Sequence, residues 1–174
     1  MQTAIIGSNQ YKQHYMSAKN ILLIEDNPDD RELMKLAFAK EKTPHNLMIV
    51  ANGVEAINYL IGRDNFVDDS EENTKNHNSN ALPALIMIDL NLPMIDGIEV
   101  LRRIRAHPKT KLIPVVIISS SNEPQDLIDS YINGCNSYIR KPIHFTQLQK
   151  FVKEISTYWL TVNQLPPVFG VLNE

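Results

Sequence analysis

The sequence predicts an α/β fold, a doubly wound parallel sheet of five strands with five helices covering its faces. Three observations carry this expectation. Runs such as Ile21-Leu22-Leu23-Ile24 are apolar at every position, as strands are when both faces of a sheet are buried. Between them lie longer stretches whose apolar residues recur at helical spacing. The alternation then continues along the chain, the pattern left by successive βα units.

The elements follow in order. Residues 1–18 are polar with little periodicity and read as an N-terminal arm. The first strand begins near Asn20 and ends before Glu25-Asp26-Asn27-Pro28. Asp29–Glu41 is the first helix, with acids in its first turn and Leu33, Leu36 and Ala37 expected on its inner face. Leu47–Ala51 is the second strand, and Gly53–Ile61 a helix carrying Val54, Ile57, Leu60 and Ile61. Residues 63–81 break the rhythm. This stretch is rich in Asp, Glu and Asn and reads as a polar loop inserted before the third strand, Ala84–Asp89. Gly97–Arg105 is the third helix and Val115–Ser119 the fourth strand. Glu123–Asn133 is the fourth helix, with Pro124 near its start, where a missing N–H costs little. Ser137–Arg140 is a brief fifth strand, and a last helix runs from about Phe145 to Leu160. Residues 19–162 thus form one domain, and 163–174 a C-terminal tail.

Composition narrows the classes. At 174 residues and 43% hydrophobic, the chain suits one packed domain. A net charge of −3 argues against a nucleic-acid surface. No apolar stretch is long enough for a membrane span, and the first residues lack the features of a secretory signal. Cys135 stands alone, so neither an internal disulfide nor a multi-cysteine zinc site is available. A cytoplasmic location is expected.

In a doubly wound sheet, the loops after the strands gather at one edge, where ligands bind. Here the first strand delivers Glu25-Asp26 to that edge, the third Asp89, the fourth Ser119, and the fifth Lys141-Pro142. Taken singly, each has an ordinary explanation as a cap, a turn former or a solvated side chain. Their joint arrival at one edge does not. Neighbouring carboxylates resist ionising without a compensating cation, and Mg2+ takes oxygen ligands while leaving room for a phosphoryl oxygen. A lysine and a hydroxyl beside them suit an anion at the same place. This set is suited to a phosphoryl group carried on a carboxylate.

Glu25-Asp26, Asp89 within Ile-Asp-Leu-Asn-Leu-Pro-Met-Ile-Asp-Gly, Ser119, and Lys141-Pro142 together resemble the receiver domain of two-component response regulators. The resemblance covers about residues 19–160, and the spacing through Gly134 and Tyr138 to Lys141 also fits. It implies the flavodoxin-like strand order 2-1-3-4-5. It also implies that Asp89 is the phosphoacceptor, and that Asp26, Asp89 and the main-chain carbonyl of Asn91, with Glu25 directly or through water, ligate Mg2+ or Mn2+. Lys141 would bind a phosphoryl oxygen, and its bond to Pro142 would be cis. Ser119 and Tyr138 would be the switch pair, while Pro93 and Gly97 would shape the loop after the acceptor strand. Asn91 and Ser121 would tune dephosphorylation. Neither is an obvious general base, so an aspartyl phosphate lifetime of minutes or more is expected. Ser119 stands where threonine is commoner and Glu25 where aspartate is commoner. Both substitutions keep the oxygen that the role needs.

After Leu160 too few residues remain for a DNA-binding domain, so the output is expected to be a changing surface. Leu148, Phe151, Val152, Ile155 and Trp159 form a wide apolar face on the last helix, and Tyr158-Trp159-Leu160 with Leu165-Pro166-Pro167-Val168-Phe169 adds further apolar surface. This suggests a homodimer through the last helix and tail. The insertion, the helix end and the lack of an output domain resemble the small regulators paired with cyanobacterial phytochromes. That implies a photoreceptor histidine kinase as partner. The alternatives are a shuttle receiver in a phosphorelay, or an Mg2+-dependent phosphatase-like enzyme. The latter usually carries a second acid two residues beyond its nucleophile, where this chain has Asn91. Flavin binding is disfavoured, because the loop after the first strand is acidic.

Overall fold

The computed structural model describes residues 18–62 and 82–166. The expectations for the N-terminal arm (except residue 18), the 63–81 insertion and residues 167–174 of the tail lie outside the described residues. The chain runs β1 (Lys19–Ile24), α1 (Pro28–Ala39), β2 (His45–Val50), α2 (Gly53–Ile61), β3 (Leu85–Ile88), α3 (Gly97–Ala106), β4 (Val115–Ser119), α4 (Pro124–Ile132), β5 (Ser137–Arg140) and α5 (Phe145–Thr157). A π-helical turn, Tyr158–Val162, extends α5. All paired strands are parallel, in the order β2-β1-β3-β4-β5.

The uniformly apolar strands divide their side chains by parity. Leu22, Ile24, Ile86, Ile88, Val115 and Ile117 face one core, closed by Ala56, Ile57 and Leu60 of α2 and Val100, Leu101 and Ile104 of α3. Ile21, Leu23, Leu85, Met87, Val116 and Ile118 face the other, closed by α1 and by Leu148, Phe151, Val152 and Ile155 of α5. Such two-sided burial explains why the sequence shows no polar alternation in these strands. Strand order and register then bring the ends of β1, β3, β4 and β5 to one edge.

One helix departs from expectation, and another leaves most of its apolar residues uncovered. In α1 the buried residues are Met34, Ala37 and Phe38, whereas Leu33 and Leu36 are exposed. Both sets satisfy the same helical spacing and differ by one residue of rotation. The rotation that buries the larger Phe38 ring, which also meets His45 at 5.2 Å between centroids, is the one adopted. Helix α4 buries only Ser130, and Leu127, Ile128, Tyr131 and Ile132 remain exposed. At the chain's far end Trp159 packs against the second core, and the Lys19 ammonium donates to the Leu160 carbonyl at 2.7 Å, tying the π-turn to the start of β1. Among the described residues, no helix is long and apolar enough to cross a membrane.

Candidate functional site

The site forms where four strands end. The β1–α1 connection is held by its own polar groups. Asn27 caps α1, its side-chain oxygen accepting from the Asp29 and Asp30 N–H groups at 2.9 and 3.2 Å. Arg31 donates to the carbonyls of Glu25 and Asp26 at 3.3 and 3.1 Å. The Asn27 N–H donates to Glu25 Oε1 at 3.1 Å. With its backbone fixed in this way, the loop holds Glu25 buried and Asp26 half-buried beside the end of β3.

Asp89 follows β3 directly. Its N–H donates to the Ile24 carbonyl at 3.0 Å, continuing the β1–β3 pairing by one residue. Its Oδ1 accepts from the Asn91 N–H at 3.0 Å. One carboxylate oxygen from each of Glu25, Asp26 and Asp89 lies within 4.8 Å of the others. The loop that follows folds back tightly, with Met94 in the left-handed region (φ 67°) and the Gly97 N–H bonded to the Leu90 carbonyl at 2.9 Å. A Cβ on Gly97 would lie 2.3 Å from the Asp89 carbonyl oxygen, which explains the glycine at that position.

Lys141 reaches in from the end of β5. Its ammonium lies 2.7 Å from Glu25 Oε2 and 2.8 Å from Asp30 Oδ2, and it also bonds Asp89 Oδ2. Burial works against the charged lysine. The Asp30, Asp89 and Glu25 carboxylates outweigh it and hold the Lys141 pKa above the usual lysine range. Burial pushes the Glu25 carboxyl up, and its contact with Lys141 only partly offsets that. The expected cis bond between Lys141 and Pro142 is absent, since no cis peptide occurs among the described residues. The lysine reaches all its partners from a trans bond, the form that X–Pro favours by about 0.5–1 kcal/mol.

Ser119 ends β4 fully buried, its hydroxyl accepting from the Ser121 N–H at 3.1 Å. The Lys141 N–H donates to the Ser119 carbonyl at 2.9 Å, joining the two strand ends. Ser121 Oγ accepts from the Glu123 N–H at 3.1 Å, just ahead of α4. Tyr138, opposite Ile117 in β5, packs on the first core with its hydroxyl buried and without a hydrogen-bond partner among the described residues. The structure therefore brings Glu25, Asp26, Asp89, Asn91 and Lys141 into one cluster and sets Ser119 and Ser121 on the neighbouring loop. Nothing in the sequence singles out Asp30 and Arg31. They sit in the first turn of a helix, where an acid reads as a partner of the helix dipole, and only the fold shows the lysine that Asp30 meets. A shallow cavity of about 590 Å3, lined by Arg31, Lys35, Phe38, His45, Leu47 and Glu55 among others, lies between α1 and β2. The carboxylates converge elsewhere, in a cluster of ionic rather than molecular size.

The donor set fits a hard divalent cation. Its oxygens are all carboxylate, they are close enough to share one ion, and Glu25 is too buried for water to screen its charge. The parallel order 2-1-3-4-5, carrying an acidic cluster and a lysine at its C-terminal edge, defines a doubly wound domain with a charged cluster where ligands bind in such sheets. The chain belongs to the response regulator receiver domain family, whose model matches residues 21–153. It is a receiver-domain response regulator of two-component signalling. It is 34% identical over 148 residues to response regulator Rcp1 of Synechocystis sp., an alignment covering 85% of this chain and 93% of that protein. A probable methanogenesis regulatory protein of Methanothrix harundinacea, FilR2, is 34% identical over 84% of this chain and 86% of its own length. Among solved structures, the phosphorylated cyanobacterial phytochrome response regulator RcpA superposes with a TM-score of 0.74 at 38% identity, covering 86% of this chain and 99% of that one. The Mn(2+)-bound form of Rcp1 superposes with a TM-score of 0.72 at 34% identity, with the same coverage of 86% and 99%.

Proposed function

We propose that this chain is a single-domain response regulator that accepts a phosphoryl group on Asp89 from a histidine kinase of the phytochrome photoreceptor type, acting in the cytoplasm. The observation that carries the reading is the state of the Asp89 carboxylate. One oxygen is held by the Asn91 N–H and the other by Lys141, within a cluster of three carboxylates. The similarity to Rcp1 and RcpA supports the choice of kinase.

In the proposed transfer an Asp89 carboxylate oxygen attacks the phosphorus of a phosphohistidine. A P–O bond forms as the P–N bond breaks, and the imidazole leaves with the electron pair and takes a proton from solvent. Glu25, Asp26, Asp89 and the Asn91 carbonyl would hold Mg2+ or Mn2+, which when bound neutralises the carboxylates and the incoming phosphoryl charge. Lys141 would then pair with a phosphoryl oxygen. The Ser119 hydroxyl, now an acceptor from Ser121, would turn to donate to another oxygen. Tyr138, whose buried hydroxyl has no partner among the described residues, would adjust with it. Asn91 and Ser121, flanking the acceptor without a general base, would leave hydrolysis slow.

The surface that changes is proposed to be that of α4, β5 and α5 in a domain spanning residues 19–162. The exposed Leu127, Ile128, Tyr131 and Ile132 support an output there. A groove of about 360 Å3, lined by Ser137, Ile139, Phe151, Ile155, Tyr158 and Trp159 among others, supports a homodimer through the last helix and tail. The test is labelling with acetyl phosphate and Mg2+, read by intact mass and size exclusion. A single phosphoryl on wild type and none on Asp89→Asn is expected. Labelling of Asp89→Asn, or none of wild type, would overturn the acceptor assignment.

A further inference from the structure

Lys141 uses its ammonium on carboxylates from three different places, and only two of them belong to the acidic cluster. An ammonium has three donors, and Glu25, Asp30 and Asp89 each sit within bonding reach of it. Glu25 and Asp89 also contribute oxygens to the three-carboxylate group that suits a cation, whereas Asp30 does not. Whatever claims that group competes with the lysine for Glu25 and Asp89. Asp30 is the partner that stays with it.

The geometry points to Asp30 as a positioning residue, the anchor that keeps the Lys141 ammonium at the acceptor site when its other two carboxylates are engaged. The inference rests on the proposed reading of Asp89 as acceptor and adds a residue to it. Asp30 suits the task because its backbone is fixed by the Asn27 cap and its carboxylate bonds Lys141 at 2.8 Å across 111 residues of chain. The Asp30 side chain is 37% exposed, against 2% for Glu25 and 6% for Asp89, so it stands at the rim rather than in the cluster. A lysine carries about 2 kcal/mol of rotamer entropy. Once Glu25 and Asp89 turn to other ligands, the rim carboxylate is the ion-pair partner left to hold the ammonium in place.

An anchor and a mere negative charge predict opposite results. As a charge, Asp30 repels the incoming phosphoryl group, and removing it speeds labelling. As an anchor, removing it slows labelling, and only through Lys141. The experiment follows labelling of the full chain by acetyl phosphate with Mg2+ across donor concentrations. It compares wild type, Asp30→Asn, Asp30→Ala, Lys141→Ala and the Asp30→Ala/Lys141→Ala pair. We expect Asp30→Ala to lower the maximal rate constant about tenfold, well inside what misplacing a reacting group by 1 Å can cost. The donor concentration at half-saturation should hardly move, Asp30→Asn should lie between, and the effect should vanish in the Lys141→Ala background. Faster labelling, or the same fold-change without the lysine, would overturn the proposal. The same double-mutant cycle on the unfolding constant in EDTA should show a coupling of about fivefold, and additivity there would also refute it. A wild type that takes no label would instead sink the acceptor reading itself, and the positioning role with it.

Discussion

Lys141→Ala offers the most direct test of the site's electrostatics in the metal-free protein. The Lys141 side chain is 18% exposed, and of its partners Glu25 is 2% and Asp89 6% exposed. Removing the ammonium leaves those two carboxylates buried, close to Asp26 and to each other, with no cation among them. Breaking a buried ion pair on one side costs about 3–5 kcal/mol. The Asp30 contact adds no more than about 1 kcal/mol, because that carboxylate is 37% exposed and water can partly take over. Since the remaining acids can escape part of the cost by binding protons, about 3 kcal/mol is the expected loss at neutral pH. With an m-value of about 2 kcal/mol/M in urea, the midpoint in EDTA should fall by about 1.5 M. Mg2+ should restore most of this, since a ligand at a hundred times its Kd contributes about 2.7 kcal/mol. A midpoint in EDTA unchanged within the error of a surface substitution, about 0.5 kcal/mol, would show that the lysine does not neutralise the cluster in solution.

Three further substitutions probe the frame around the site. Gly97→Ala would place a Cβ 2.3 Å from the Asp89 carbonyl oxygen and 2.8 Å from Leu90 Cα, both backbone atoms that cannot swing aside. A loss of about 2–3 kcal/mol in urea unfolding is expected, together with slower labelling of Asp89. A neutral or stabilised variant would mean that the loop after β3 yields to the added methyl. For α1, Phe38→Ala should cost about 3–4 kcal/mol, because the ring is 1% exposed. Leu36→Ala, at a side chain 49% exposed, should stay within about 0.5 kcal/mol in the same urea unfolding. Reversal of that order would restore the helix rotation expected from the sequence, with Leu33 and Leu36 inside.

The fold is legible in the sequence because its strands carry their meaning in composition. A run such as Leu85–Ile88, apolar at every position, has to be covered on both sides, and only alternating helices can do that. The same logic makes the site legible, since a polar residue ending such a run can only lie at the sheet edge. That logic points to Asp89 and Ser119, whereas Lys141 follows the mixed run Ser137–Arg140 and stands out only beside the others. What stays hidden depends on rotations and small energy differences. Leu33, Leu36 and Ala37 obey the helical period as well as Met34, Ala37 and Phe38 do, so pattern alone cannot set the phase of α1. The isomer of the Lys141–Pro142 bond turns on under about 1 kcal/mol, which no local sequence feature decides. Asp30 is hidden for another reason. Its partner lies 111 residues away, and a contact at that range exists only once the sheet order is known.

The site also has a charge imbalance with a direct bearing on how it would switch. Glu25, Asp26, Asp30 and Asp89 face one ammonium, that of Lys141, and the nearby Arg31 is turned to main-chain carbonyls. The two apolar cores beneath hold Glu25, Asp26 and Asp89 where they are, because these three follow strands packed on both faces. The carboxylates therefore cannot relax apart, and burial raises the Glu25 pKa instead. A rigid excess of negative charge at a sheet edge is a state that a cation relieves more than any side-chain rearrangement could. On the proposed reading, the lysine holds the cluster together until a cation takes two of its partners. It is then free, still tethered by Asp30, to meet the phosphoryl oxygen. The response to the cation should accordingly be concentrated at the ends of β1, β3 and β5, while the cores beneath stay as they are.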